Sequence, residues 1–125
     1  MPVVDLRQLT NSFRYAFRGF WYVFKNEQTI RIHLLVSCIV VMLMIFFQVA
    51  LWQAIILFLV MVIVIVLELI NTIFERVVDI LKPRIHYYAE VIKDVMAATV
   101  LVSSIGAVII GILIFAPYVW PHLSR

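Results

Sequence analysis

The sequence predicts an all-α membrane protein, with three transmembrane helices and an N-terminal amphipathic surface helix in one domain over residues 1–125. Of its 125 residues, 66% are hydrophobic, whereas a soluble domain is about half apolar. Residues 32–67 contain no Lys, Arg, Asp or Glu. As one helix this run would be roughly 54 Å long. A bilayer core is only about 30 Å thick, so the run must fold back.

The first predicted element is the surface helix, over about residues 5–27. Aromatic and basic side chains recur there at helical spacing: Phe13, Phe17, Phe20, Trp21 and Phe24, with Arg7, Arg14, Arg18 and Lys25. This composition favours a helix lying at the membrane interface. A helix packed on the bundle is the alternative interpretation.

The spans are predicted at about residues 30–49, 52–73 and 95–116. Gln48 and Gln53 flank the best place for a tight turn between the first two spans. Residues 82–90 are predicted as a loop with Pro83 as the breaker, and Pro117 is predicted to stop the third span.

The charged residues indicate the orientation of the chain. Nine of the ten Lys and Arg lie in 1–31 and 76–93. With three spans these two segments share one side, which the positive-inside rule makes cytoplasmic. Charged chemistry is therefore expected at the cytoplasmic face, and the net charge of +3 gives no reason to expect nucleic acid as a partner.

Four polar residues end the long apolar run on one helix face: Glu68, Asn71, Glu75 and Asp79. At 100° per residue they fall within about 80° of one another. A carboxylate this close to hydrocarbon costs roughly 2.5–3.5 kcal/mol to insert, so it needs a partner, a cation or a cavity. The pattern favours a functional site over a solvated helix end.

Glu27 and the pair Lys93-Asp94 are expected at about the same depth as this stripe. Several carboxylates with one lysine could form a magnesium and phosphate site, since Mg²⁺ prefers a few carboxylate oxygens plus phosphates and water. A structural salt-bridge cluster, with Lys93 and Arg76 neutralising the acids, is an equally good interpretation of the spacing. No nucleotide-binding glycine motif occurs, His33 is interpreted as an interfacial residue, and the single Cys38 excludes an intrachain disulfide.

At these residues the chain resembles a known family. Glu68-Leu-Ile-Asn71-Thr-Ile-Phe-Glu75-Arg-Val-Val-Asp79 is similar to the signature of the small bacterial integral-membrane lipid kinases, the diacylglycerol kinase and undecaprenol kinase family. The resemblance covers nearly the whole chain. It implies a homotrimer with sites shared between subunits, in which Glu27 of one subunit faces Glu75 of a neighbour, in the bacterial cell membrane.

The resemblance also implies a reaction and roles for residues. The γ-phosphate of ATP would pass to the hydroxyl of a membrane lipid alcohol, with Mg²⁺ as cofactor. Glu68 would be the catalytic base, and Glu27 and Glu75 would hold the metal. The nucleotide and its phosphates would be bound by Asn71, Asp79, His86, Lys93 and Asp94. Arg31 and Arg14 would support the site or the lipid.

The lipid acceptor is expected to be undecaprenol. Arg31-Ile32-His33 resembles the Gram-positive branch of the family, whereas the Gram-negative diacylglycerol kinases have an acid in this stretch. Diacylglycerol is the first alternative acceptor. A non-enzymatic, ion-conducting oligomer is the second alternative, but a conducting path needs polar residues throughout, and residues 54–67 and 105–116 are apolar.

Overall fold

The computed structural model describes residues 4–124 and contains three helices within that range: α1 Leu6–Asn26, α2 Gln28–Phe47 and α3 Leu51–Leu123. Three helical segments are long and apolar enough to cross a membrane: Gln28–Phe47, Leu51–Arg84 and His86–Leu123. Within the described residues the protein is thus all-helical with three candidate membrane spans, as the sequence predicts.

Helix α1 begins at a side-chain cap. The Asp5 carboxylate accepts hydrogen bonds from the backbone amides of Arg7, at 2.9 Å, and Gln8, at 3.4 Å. These amides have no partner inside the helix, so the cap stabilises its first turn. No side chain of α1 is buried, which leaves aromatic residues such as Phe13 and Phe17 about 70% exposed.

A single residue, Glu27, separates α1 from α2. Its backbone is extended, with φ −111° and ψ 119°. The Arg31 guanidinium donates to the carbonyls of Phe24, at 3.4 Å, and Lys25, at 3.2 Å. Carbonyls at the end of a helix otherwise lack a donor, so Arg31 stabilises the break. The neighbouring Ile30 is fully buried.

The reversal between α2 and α3 lies at residues 48–50. Gln48 has φ 48° and ψ 50°, the left-handed conformation that commonly ends a helix. The side chain of Gln53 then accepts from the amide of Ala50, at 3.1 Å. The same oxygen accepts from the Tyr118 hydroxyl, at 2.6 Å. This turn falls in the interval between Gln48 and Gln53 that the sequence indicates.

Helix α3 folds back on itself into two arms, a first arm Leu51–Arg84 and a second arm His86–Leu123. In a straight helix Gln53 and Tyr118 would lie roughly 98 Å apart, yet their side chains are hydrogen-bonded. The Lys93 ammonium likewise bonds the Asp79 carboxylate, across what would be roughly 21 Å of straight helix. The chain therefore reverses between Asp79 and Lys93.

Of two sequence-based predictions about the proline residues, one is confirmed in part and one is wrong. The chain reverses between Asp79 and Lys93, where the connection of residues 82–90 is predicted, but these residues are helical rather than a loop. Pro117 was expected to end the third span, but α3 runs to Leu123 with Pro83, Pro117 and Pro121 inside it. A proline removes one hydrogen bond and bends a helix. The backbone is nevertheless helical before and after each of these prolines.

Few side chains are buried between the helices. The buried apolar side chains are those of Ile30, Leu57, Val64, Val78, Ala89, Val100 and Ile114. Most other apolar side chains face outward, which suits helices surrounded by lipid, because lipid tails solvate them as well as protein does. At the end of the bundle away from the charges, Phe47 packs against Phe115 and Tyr118, with ring centroids 6.2 and 6.0 Å apart.

Candidate active site

Glu68 lies on the first arm of α3 with only 4% of its surface exposed. Its Oε2 atom is 3.9 Å from Nε2 of His33 on α2. One turn later, the Thr72 hydroxyl donates to the Glu68 carbonyl, at 3.1 Å, and is itself buried. The Thr72 hydroxyl therefore bonds the backbone and not the Glu68 carboxylate. The carboxylate instead lies near α2.

The next polar positions of the stripe are joined to each other. The Asn71 amide donates to Oε1 of Glu75, at 3.2 Å. Spacing of four residues on a helix allows this contact. The Oδ1 atom of Asn71 is buried and has no hydrogen-bond partner within residues 4–124. A buried acceptor without a donor is costly, so this oxygen is suited to a cation or to an ordered water.

Glu27 joins this group from the break between α1 and α2. Its Oε1 atom accepts from Nη2 of Arg76, at 2.7 Å. Arg76 follows Glu75 in sequence, so the contact brings Glu27 beside the stripe. The charges of Glu27 and Glu75 both act on Glu68 through space. The polar residues so assembled, namely Glu27, Glu68, Asn71, Glu75 and Arg76, are called the acidic cluster below.

The structure places Glu27 against helix α3 of its own chain. Within a single chain, the contact with Arg76 brings Glu27 to the helical turn that also carries Glu75. Glu27 and Arg76 are 49 residues apart in the sequence, so their ion pair holds the α1–α2 break against the first arm.

A second charged group lies farther along α3, at the reversal of the chain. Lys93 of the second arm pairs with Asp79 of the first. Both side chains are partly exposed, by 37% and 49%. Because they lie beyond the acidic cluster toward the aqueous end, they are accessible to a soluble ligand.

The remaining candidate residues are not drawn into either group. Arg14, His86 and Asp94 are exposed, and no hydrogen bond or ion pair in the described part of the chain joins them to the acidic cluster. Arg31 lies near the cluster, but its guanidinium bonds backbone carbonyls of α1. Its observed role is to hold the break that positions Glu27.

Two residues of the site were not assigned to it from the sequence. His33 was interpreted as an interfacial residue, but it is the basic side chain nearest Glu68. The signal in the sequence is the polar pair His33 and Ser37, four residues apart in the uncharged stretch of residues 32–47. Arg76 was considered only as a neutralising charge, and its ion pair with Glu27, like that of Lys93 with Asp79, is what the salt-bridge interpretation expected.

The donor set fits a magnesium ion that also binds phosphate. Within residues 4–124, no three acidic, histidine or cysteine side chains are grouped so that they alone could hold a metal. Mg²⁺ does not require such a cage, because it is usually bound by one or two carboxylates together with waters and substrate phosphates. The carboxylates of Glu27 and Glu75 and the unpartnered Oδ1 of Asn71 are oxygen ligands of the type it prefers.

Apolar cavities lie on both sides of the cluster. A cleft of about 930 Å³ separates α1 from the first arm, and Arg76 lies in its wall. A groove of about 450 Å³ runs between α2 and both arms of α3, with His33 and Ser37 among its lining residues. The polar site is thus bordered by surfaces that suit hydrocarbon chains.

Comparison with known proteins agrees with this chemistry. Residues 14–115 match the family described as prokaryotic diacylglycerol kinase. An undecaprenol kinase of Bacillus subtilis is 32% identical, over 90% of this chain and 92% of its own length. A diacylglycerol kinase of Haemophilus influenzae is 32% identical, over 88% and 95%. A diacylglycerol kinase of Synechocystis is 36% identical, over 80% of this chain but 58% of its own length.

No solved structure was found to match the chain. The kinase names of the relatives exclude the ion-conducting alternative and imply ATP as the co-substrate. The extent of these matches shows that this protein, a membrane lipid kinase, belongs to the prokaryotic diacylglycerol kinase family.

Proposed function

We propose that the protein transfers the γ-phosphate of ATP to the hydroxyl of undecaprenol at the cytoplasmic face of the bacterial cell membrane. The observation that carries the proposal is the burial of Glu68 among apolar side chains, next to a cluster of carboxylates. The orientation is supported by the charged residues, since Asp79 and Lys93 lie at the end of the bundle opposite the Gln53–Tyr118 contact.

Glu68 is the group suited to remove the proton from the lipid hydroxyl. Its carboxylate lies at the hydrocarbon edge, where the hydroxyl of a lipid alcohol is held by its own tail. When the hydroxyl oxygen attacks the γ-phosphorus, its proton passes to a Glu68 oxygen and the bond to the ADP oxygen breaks. Phosphoryl transfer depends mainly on such positioning and on neutralising the phosphate charges.

The other residues of the cluster are suited to the metal and the phosphates. Glu27 and Glu75 hold Mg²⁺ in this proposal, with Asn71 beside them. The ion supplies charge neutralisation at the phosphates when it is bound. Binding of the nucleotide and its phosphates is assigned to Lys93, whose ammonium is a point charge suited to phosphate, together with Asn71, Asp79, Asp94 and His86. Support of the site or the lipid is assigned to Arg31 and Arg14.

Undecaprenol is favoured as the acceptor by Arg31-Ile32-His33 and by the Bacillus subtilis relative, which is named an undecaprenol kinase. Diacylglycerol is the second candidate, because two relatives of similar identity are named diacylglycerol kinases. In both cases α1 lies in the membrane interface, as its exposed Phe13 and Phe17 favour.

The working assembly is proposed to be a homotrimer with sites shared between subunits. A second-arm face of small residues, Ser103, Ala107 and Gly111, supports it. Ala107 and Gly111 line the groove between α2 and the arms of α3, and a Cβ atom added at Gly111 would meet nothing within 4 Å. Small residues allow close approach of a neighbouring helix in a membrane.

The first prediction concerns the base. Glu68→Gln is expected to lower turnover by about 10²–10⁴-fold, because the amide cannot take the hydroxyl proton, while nucleotide binding changes little. Phosphate transfer from labelled ATP to the lipid and binding of a fluorescent ATP analogue are measured in detergent. Thr72→Val is the matched control one turn away. A Glu68→Gln protein with more than a tenth of the wild-type rate contradicts the assignment.

The second prediction concerns the metal. Glu27→Gln and Glu75→Gln are each expected to raise the Mg²⁺ concentration for half-maximal rate, because each removes a charged oxygen ligand from a hard cation. Glu90→Gln, an exposed acid of the second arm, is the control. An unchanged magnesium requirement in both variants favours the salt-bridge interpretation instead.

The third prediction is that undecaprenol is phosphorylated in preference to diacylglycerol. Both lipids are supplied together in mixed micelles at equal mole fraction, and the two phosphorylated products are separated and counted. A higher rate with diacylglycerol refutes the assignment of the acceptor and leaves the kinase activity itself intact.

The fourth prediction tests whether sites are shared. Glu27→Gln chains and Glu68→Gln chains are unfolded, mixed and reassembled, and they are assayed at a low Mg²⁺ concentration at which either variant alone shows little turnover. Shared sites are expected to restore activity, because some mixed trimers hold one site with both native residues. If mixed oligomers form, as shown by two different affinity tags, and activity does not exceed that of either parent, each site lies within one chain.

A further inference from the structure

We propose that His33 is a positioning residue that holds the Glu68 carboxylate in the orientation required for phosphate transfer. This inference rests on the proposed role of Glu68 as the base. The observation behind it is the approach of His33 Nε2 to Glu68 Oε2, at 3.9 Å, between α2 and the first arm of α3.

The Glu68 carboxylate needs such a partner because of its surroundings. Its side chain is only 5% exposed, and among residues 4–124 no side chain or backbone amide donates a hydrogen bond to it. Leaving a buried polar group without a partner costs on the order of 1–3 kcal/mol, and a charged group costs more. No hydrogen bond from the described residues fixes the orientation of this carboxylate, and a base that acts on one hydroxyl needs a fixed orientation.

The other basic side chains near the cluster are engaged elsewhere. Arg76 donates to Glu27, and Lys93 pairs with Asp79 near the chain reversal. The charged groups that act on Glu68, namely Glu75 on its own helix and Glu27 from the α1–α2 break, are both acids and cannot hold it. His33, from α2, is the side chain placed to do so.

The geometry also leaves Glu68 able to react. His33 approaches Oε2, so Oε1 remains available to accept the proton of the lipid hydroxyl. A separation of 3.9 Å is longer than a hydrogen bond, but bonds of this kind often tighten only when substrate is bound. His33 also lines the apolar groove between α2 and α3.

The test compares five variants of the protein in lipid micelles. His33→Phe removes the N–H donor and keeps a ring, and His33→Gln keeps a donor. Cys38→Ala changes an exposed side chain of the same helix that does not line the groove, and it serves as the control. Glu68→Gln is measured alone and combined with His33→Phe. Turnover, the KM values for ATP and lipid, and thermal unfolding are measured for each.

A positioning role has a specific signature. His33→Phe is expected to lower kcat by about 10–100-fold, the range typical of residues that orient a functional group, with KM for ATP unchanged. His33→Gln is expected to recover a large part of the rate, and Cys38→Ala is expected to match wild type. Once Glu68 is Gln, His33→Phe is expected to change the residual rate less than about twofold, because the two residues act as a unit.

Other results overturn the inference. A His33→Phe protein that keeps its kcat, a His33→Gln protein as slow as His33→Phe, or equal fold-losses with and without the Glu68 carboxylate each exclude a positioning role. A rate loss that follows a fall in the unfolding temperature indicates a structural role instead. If the wild-type protein phosphorylates no lipid alcohol, the proposed function fails together with this inference.

Discussion

The burial of the Glu68 carboxylate among apolar side chains is the constraint on which the arrangement of this site depends. A charge at that depth is expensive, yet the groups around it leave its oxygens free of strong donors. Thr72 donates its hydroxyl to the backbone carbonyl of Glu68, Asn71 donates to the neighbouring Glu75, and His33 approaches from α2 at 3.9 Å. The result is a carboxylate whose own oxygens are not committed to strong donors, as a base requires.

The position of Glu27 also depends on how polar groups near the site find partners. A helix broken at one residue leaves carbonyls without donors, and Arg31 satisfies two of them. Glu27 can then lie in an extended conformation at the break and reach Arg76. By capping the end of α1, Arg31 thus helps to determine where Glu27, a proposed metal ligand, lies. The backbone geometry of the α1–α2 break is in this way linked to the chemistry of the cluster.

Most of the helical architecture could be predicted from the sequence, because it follows from strong and local physical rules. The uncharged run of residues 32–67 cannot be one span, and the polar stripe has a clear helical period. The behaviour of Pro83 and Pro117 could not be predicted in this way, since a proline ends a helix or only bends it according to whether neighbouring groups keep the turn intact. Likewise, the approach of His33 to Glu68 joins positions 35 residues apart on different helices, and the spacing of residues along one helix contains no information about it.

Solvent exposure differs between the two ends of the polar stripe, and this difference matches the two proposed substrates. From Glu68 to Asp79 the first arm rises roughly 16 Å along its axis, from a position that is 4% exposed to one that is open to solvent. The hydrocarbon end borders apolar cavities, where a lipid alcohol is soluble, and the aqueous end holds the Asp79–Lys93 pair, where a nucleotide is soluble. The two reactants share a common depth only in the acidic cluster between these ends. In the proposed reaction, the solubility of the two substrates brings them together at this helix face, and the acids and cations there supply orientation and charge neutralisation.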